Sequence, residues 1–184
     1  MTISSPLDST DTKFHGLLND QVRSELGASQ QYLAIAVYFD GADLPQLASF
    51  FYRQSVEERN HAMMLVRYLI DRDVPAEIPA VDPVRNSFET PRDAIALALE
   101  LERSVTEQIS RLAATARDEG DYLGEQFIQW FLKEQVEEVA QMTTLVRIAE
   151  RAGADLFHLE DFVAREISAP SADPSAPTAA GGAL

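Results

Sequence analysis

The 184-residue sequence contains no cysteine. Disulfides, thiolate zinc sites, iron–sulfur clusters and a thiol nucleophile are excluded in one step. Histidine is scarce, limited to His15, His61 and His158. Three scattered imidazoles cannot build a histidine-rich metal site, and the HExxH pairing of a zinc peptidase is absent. Basic residues are few, 15 against 30 acidic ones, for a net charge of -15. Such a surface repels phosphate backbones, so no nucleic-acid partner is expected. It attracts cations, although plain solubility also calls for charge. Long apolar runs are missing as well. LAIAVYF at 33–39 falls far short of a membrane span, and no membrane association is expected. The opening MTISSPLDSTD has neither the basic start nor the apolar stretch of a signal peptide, which makes a cytoplasmic protein the expectation. Finally, no segment alternates with period two between turn signals, so strands are not expected.

What is present is four long amphipathic segments, over 11–40, 44–71, 91–119 and 121–151, with a short fifth over 155–167. The punctuation between them is clear. Gly41 and Asp43 read as a helix stop followed by a cap. Pro75, Pro79 and Pro83 lie in a stretch from Arg72 that ends at Thr90-Pro91, a cap followed by proline at the first helical position. EGD at 119–121 and AGAD at 152–155 supply the remaining breaks. Each long segment makes a rod of about 40–45 Å at 1.5 Å per residue. Four such rods with short first and last turns make a four-helix bundle, all-α, with a fifth short helix behind it. The connection between the second and third segments is long enough to cross the whole bundle, which permits those two helices to be parallel. The bundle domain is expected over 11–167. A flexible N-terminus over 1–10 precedes it, and a Pro- and Ala-rich, disordered or extended tail over 168–184 follows.

Stepping by threes and fours along each segment traces the face turned to the core. The first gives Leu18, Val22, Glu25, Ser29, Tyr32, Ala36 and Phe39. The second gives Leu44, Leu47, Phe51, Gln54, Glu58, His61 and Leu65. The third gives Ile95, Ala98, Glu102, Val105, Ile109 and Leu112, and the fourth Ile128, Phe131, Gln135, Glu138, Met142 and Leu145. Each stripe is apolar except near its middle, and there each carries a glutamate. Glu25 stands sixteen residues before Gly41, Glu58 fourteen after Leu44, and Glu102 and Glu138 eighteen each from Gly120. At 1.5 Å per residue the four carboxylates fall within about 6 Å of one level.

Four bare carboxylates in one apolar layer oppose burial through desolvation and mutual repulsion, and most would protonate. Cations between them remove that cost. His61 alone is more often a satisfied core histidine. At i+3 from Glu58 it lies on the same face and reaches the same ion. Two metals bridged by Glu58 is the economical arrangement, and a carboxylate-dominated site suits hard and borderline ions such as iron or manganese.

EExxH at 57–61, GEQFIQWFLKEQVEE at 124–138 and LERSVTEQI at 101–109 together resemble the ferritins. The likeness covers about residues 12–167 and is to the heme-free bacterial, mycobacterial type. The fourth segment offers EQVEE where the general di-iron pattern has a second Glu-x-x-His. Arg59 stands where bacterioferritins place their heme-binding methionine, so no heme is expected. The resemblance implies iron at Glu25, Glu58 and His61, and a second iron at Glu58, Glu102 and Glu138 with Gln135 close by. It implies a third, weaker site at Glu57, Glu134, Glu137 and Glu138, and it sets Tyr32 beside the di-iron centre. Trp130 is placed near the site on the fourth helix. Met63 and Met64 read as packing and His15 as a solvated first-turn residue. His158 falls on the helix that lines a four-fold axis in ferritins, and Asp121 and Glu125 fall where ferritins gather acids at three-fold channels.

The function so implied is oxidation of Fe(II) by oxygen or peroxide and storage of ferric mineral in a self-assembled shell of twenty-four subunits. Competing readings are a rubrerythrin-type di-iron oxygenase or peroxidase, a twelve-subunit DNA-protecting mini-ferritin, and a catalytically inert structural cage. Lack of cysteine and of a second domain counts against the first of these. Three roles stay open for the tail: contact with neighbouring subunits, threading of a pore, and addressing the shell to an encapsulating compartment.

Overall fold

The computed structural model describes residues 12–167 and 173–184. Five helices make up the first stretch: α1 (Lys13–Asp40), α2 (Pro45–Asp71), α3 (Pro91–Glu119), α4 (Tyr122–Ala152) and the short α5 (Leu156–Glu166). No strand occurs among the described residues. The expected N-terminal segment and residues 168–172 lie outside them.

The helix ends follow the polar and glycine signals for a physical reason: unpaired N–H and C=O groups need partners. Thr12 accepts from His15 N, Thr90 from Asp93 N, Asp121 from Gly124 N and Asp155 from His158 N. Gly120 closes α3 in the left-handed region at φ 71°, where a side chain would be strained. One cap differs from expectation. Asp43 does not cap α2; it takes the left-handed turn position at φ 58°. The cap residue is Leu44, which has no oxygen to offer. Its place is taken from a distance, since the Glu160 carboxylate on α5 accepts from Gln46 N and Leu47 N, each at 2.8 Å.

Two interactions fix the helix directions. The first amides of α1, Lys13 N and Phe14 N, donate to Glu119 at the end of α3. Further on, Tyr32 O–H reaches Ala98 O near the start of α3. So α1 and α3 are antiparallel, and with short turns on either side α2 and α3 run parallel. The 73–90 crossover lies along α1 from end to end. Asn19 bonds Pro75 O and Glu77 N, Arg23 pairs with Asp82, Gln31 bonds both Arg85 N and O, and Tyr38 packs on Phe88.

Packing divides the interior into two dry clusters. One holds Tyr32, Phe39, Phe51, Ile95 and Met142; the other holds Phe14, Leu18, Leu65, Ile109 and Ile128. On every helix the break between them falls at the polar residues of the stripe. The stripe residues are buried throughout except Ser29, which is half-buried. His15 departs from its expected solvated position. It is buried, its ring tilted against Phe14 at 5.8 Å, since the imidazole faces can cover an aromatic neighbour.

The α4 start packs closely on α1. A Cβ at Gly124 would stand 2.5 Å from Phe14 Cε1 and 2.8 Å from Asp121 Oδ2. Phe14 is fully buried and has no room to retreat. Gly124→Ala is therefore expected to destabilise the fold by about 1–3 kcal/mol, the range for overpacking a core. A lowered denaturation midpoint measures it; an unchanged midpoint would contradict the packing.

Candidate metal centre

Three ligand atoms, one each from Glu25, Glu58 and His61, lie within 4.8 Å of one another in the buried layer. α1 brings the first and α2 the other two, one turn apart on the same face. His61 Nδ1 is 3.2 Å from Glu58 Oε2. Glu25, Glu58 and Glu102 are each 1% exposed and Glu138 is 6% exposed, so water cannot solvate these charges.

The donors around the layer are unevenly shared. Gln21 Nε2 donates to Glu25 Oε1 at 2.9 Å. Tyr32 O–H donates to Glu102 Oε1 in a short bond, and Gln135 Nε2 donates to Glu102 Oε2 at 3.3 Å. Thr106 Oγ1 lies 2.8 Å from both Gln135 Oε1 and Glu102 O, and its single proton can serve either. Glu102 is thus held from both sides. Among the described residues no donor reaches Glu25 Oε2, Glu58 Oε1 or Glu138 Oε2. A buried acceptor left unmet costs about 1–3 kcal/mol, and more when charged. Three such oxygens beside an imidazole make a donor set that could hold a hard or borderline cation.

Electrostatics gives the same account. Burial, then the Glu58 charge, pushes Glu25 well above the usual carboxylate range. Burial and the Glu102 charge raise Glu58, and burial with Glu58 and Glu102 raises Glu138. Glu102 is pushed up to about 7, mainly by burial, with Tyr32 and Gln135 pulling the other way. Tyr32 is raised by burial and by Glu102. Burial and crowding thus favour the protonated form of each acid in the layer.

The remaining residues singled out from the sequence fall at graded distances. Glu57 is half-buried and accepts from Gln54 Nε2 at 2.6 Å. Glu134 is half-buried, its carboxyl raised by burial and by Glu137, with Lys133 Nζ at 3.9 Å. Glu137 is exposed, and these three acids do not converge as tightly as Glu25, Glu58 and His61. Trp130 stands edge-on to His61, ring centroids 5.6 Å apart. Met64 is buried and Met63 packs on the second cluster. Asp121 caps α4, Glu125 pairs with Arg117, and His158 is exposed on α5. Gln21 and Thr106 escaped the sequence reading, although each stands four residues from a layer glutamate, the spacing of helix neighbours.

Comparison with known proteins gives a match to the ferritin-like domain over residues 16–152. The chain belongs to the ferritin family. This ferritin is 75% identical over 184 residues, all of both chains, to Ferritin BfrB of Mycolicibacterium smegmatis. It is 66% identical over 173 residues to Ferritin BfrB of Mycobacterium tuberculosis, covering 94% of this chain and 96% of the relative. Among solved structures it resembles an open-pore ferritin from Archaeoglobus fulgidus, with TM-score 0.80 and 29% identity over 85% of this chain and 99% of that one. No helix among the described residues is long and apolar enough to cross a membrane.

The layer makes the metal-free ferritin sensitive to pH. Glu102 binds its proton more tightly in the folded chain than its ordinary value of 4.5 allows, so the folded state carries the extra proton between pH 4.5 and about 7. Stability should therefore fall as pH rises through that window, because the folded form binds more protons there than the unfolded one. Denaturation of chelator-stripped protein at stepped pH measures it. A flat or rising profile across the window would contradict the layer's electrostatics.

Proposed function

We propose that this ferritin oxidises Fe(II) to Fe(III) within its own helix bundle and stores the product as ferric mineral inside a shell of twenty-four copies. The observation that carries the reading is the buried layer itself: four carboxylates from four helices, three of them with an oxygen no donor meets, beside one imidazole. Iron is the substrate. Glu25, Glu58 and His61 bind one Fe(II), and Glu58, Glu102 and Glu138 bind the second, with Gln135 alongside. Tyr32 and Gln135 orient Glu102 through the bonds described above. As Fe(II) binds, the carboxylates give up the protons that burial had kept on them.

Hard anionic oxygens stabilise Fe(III) over Fe(II), so the same ligands favour electron loss. Two Fe(II) yield one electron each. Dioxygen takes both with two protons to give hydrogen peroxide, or hydrogen peroxide takes both with two protons to give two waters. Glu57, Glu134 and Glu137, with Glu138, form a weaker holding site towards the α2/α4 side. No heme is required, and Arg59 occupies the position after the bridging glutamate.

The family likeness and the intact carboxylate layer favour this reading over an inert cage, which would have no reason to bury these acids. Glu58→Ala tests it. Loss of the bridging ligand should slow initial Fe(II) oxidation by more than the ~10–100-fold that follows removal of an outer partner. Without metal the variant relieves the carboxylate crowding at the cost of a cavity, so a denaturation midpoint measured alongside separates loss of the ligand from loss of the fold. Wild-type oxidation rates in stopped flow would refute the site. Assembly is a separate matter: the 20.4 kDa chain should elute as a large closed shell, and elution as a monomer would dismiss storage.

A further inference from the structure

The C-terminal segment 173–184 has neither helix nor strand, yet it is tied down at both ends. On α4, Trp130 Nε1–H donates to Asp173 Oδ2 at 3.1 Å, and Lys133 Nζ lies 3.7 Å from the same oxygen. On α2, the Asn60 amide clasps the main chain of Leu184, donating from Nδ2 to Leu184 O at 3.4 Å and accepting at Oδ1 from Leu184 N at 3.1 Å. Between these ends Ala180 N–H donates to Met63 O at 2.9 Å, and Ala179 is buried. The segment is a strap from α4 to α2.

The Asp173 carboxylate is itself prearranged. Ser175 N and Ser175 Oγ both donate to its Oδ1, at 2.8 and 2.7 Å. These bonds, with the indole bond behind them, hold Asp173 down to about 2, so it is anionic at any working pH. Nε1–H is the only polar group of the indole, and its partner sets how the ring is turned. The other side of that ring faces the metal centre. His61 sits in an aromatic corner, edge-on to Trp130 at 5.6 Å and to Phe131 at 5.8 Å, and those two rings are perpendicular to each other at 5.0 Å. The two aromatic rings thus pack against the imidazole whose Nδ1 lies 3.2 Å from Glu58 Oε2.

We propose that Asp173 is a positioning residue for His61, acting through Trp130, so that the docked C-terminal strap tunes metal affinity at the bundle centre. This rests on the reading of His61 as a ligand. An ordinary orienting partner bonds the ligand's free nitrogen; here the orienting force passes through an aromatic contact, and its effect is accordingly smaller.

Trp130 is the single tryptophan, so intrinsic fluorescence reports this indole alone. The experiment is Co(II) titration of the assembled, chelator-stripped full chain, followed by cobalt absorption and by tryptophan emission. Asp173→Ala should shift the emission to the red and weaken Co(II) binding by about threefold to tenfold, below the ~10–100-fold of a direct outer partner. Asp173→Asn keeps an oxygen that accepts the indole N–H and should restore affinity. A red shift without loss of affinity would make the strap merely structural and overturn the proposal. Equal loss in Asp173→Asn and Asp173→Ala would overturn it too, by reducing the effect to charge. Co(II) binding at wild-type strength in Glu58→Ala would instead sink the metal-site reading, whatever Asp173 does.

Discussion

Mutual repulsion among four carboxylates in a layer closed to water is the constraint to which the rest of this bundle answers. No apolar core tolerates it unaided: each ionised group would lack solvent, and each would face three like charges. The fold meets the difficulty in two ways. It supplies donors unevenly, so that Glu102 is well held while Glu25, Glu58 and Glu138 keep open oxygens. It also confines the polar layer between two dry clusters, which give the stability that the layer itself withholds.

That division explains why so much was legible from the residues alone. A helical stripe interrupted once, at one level, on all four helices is a pattern that periodicity detects, and every glutamate it named proved buried. Helix ends were equally readable where a local side chain closes them, as at Thr90, Asp121 and Asp155. The reading failed where the partner is remote in sequence. Asp43 looked like the cap of α2, but the carboxylate that caps it comes from Glu160 on another helix. Local spacing carries no information about such a contact.

His15 illustrates the same limit, and in the strap part of the extended tail expected over 168–184 gains contacts that no local pattern announces. A polar residue in a first turn reads as solvated, and an Ala- and Pro-rich stretch reads as tail, because neither shows amphipathic period. Both find their places through tertiary neighbours: Phe14 for the imidazole, and the α2 and α4 surfaces for residues 173–184. The strap bonds largely through its main chain and through Asp173, and small side chains let it lie close against the helices. The stripe located the four layer carboxylates and the likeness to ferritins gave them roles; neither gave an account of what packs on His61 from the α4 side.

The remote cap on α2 makes one helix depend on another for its first turn. Isolated helices are marginal in water, and this one lacks an oxygen of its own at the first turn. The first-turn amides of the rod that bears both Glu58 and His61 are met by a carboxylate 114 and 113 residues further along the chain. Docking of α5 therefore completes α2, and until it docks those two first-turn amides have no protein partner at the helix start.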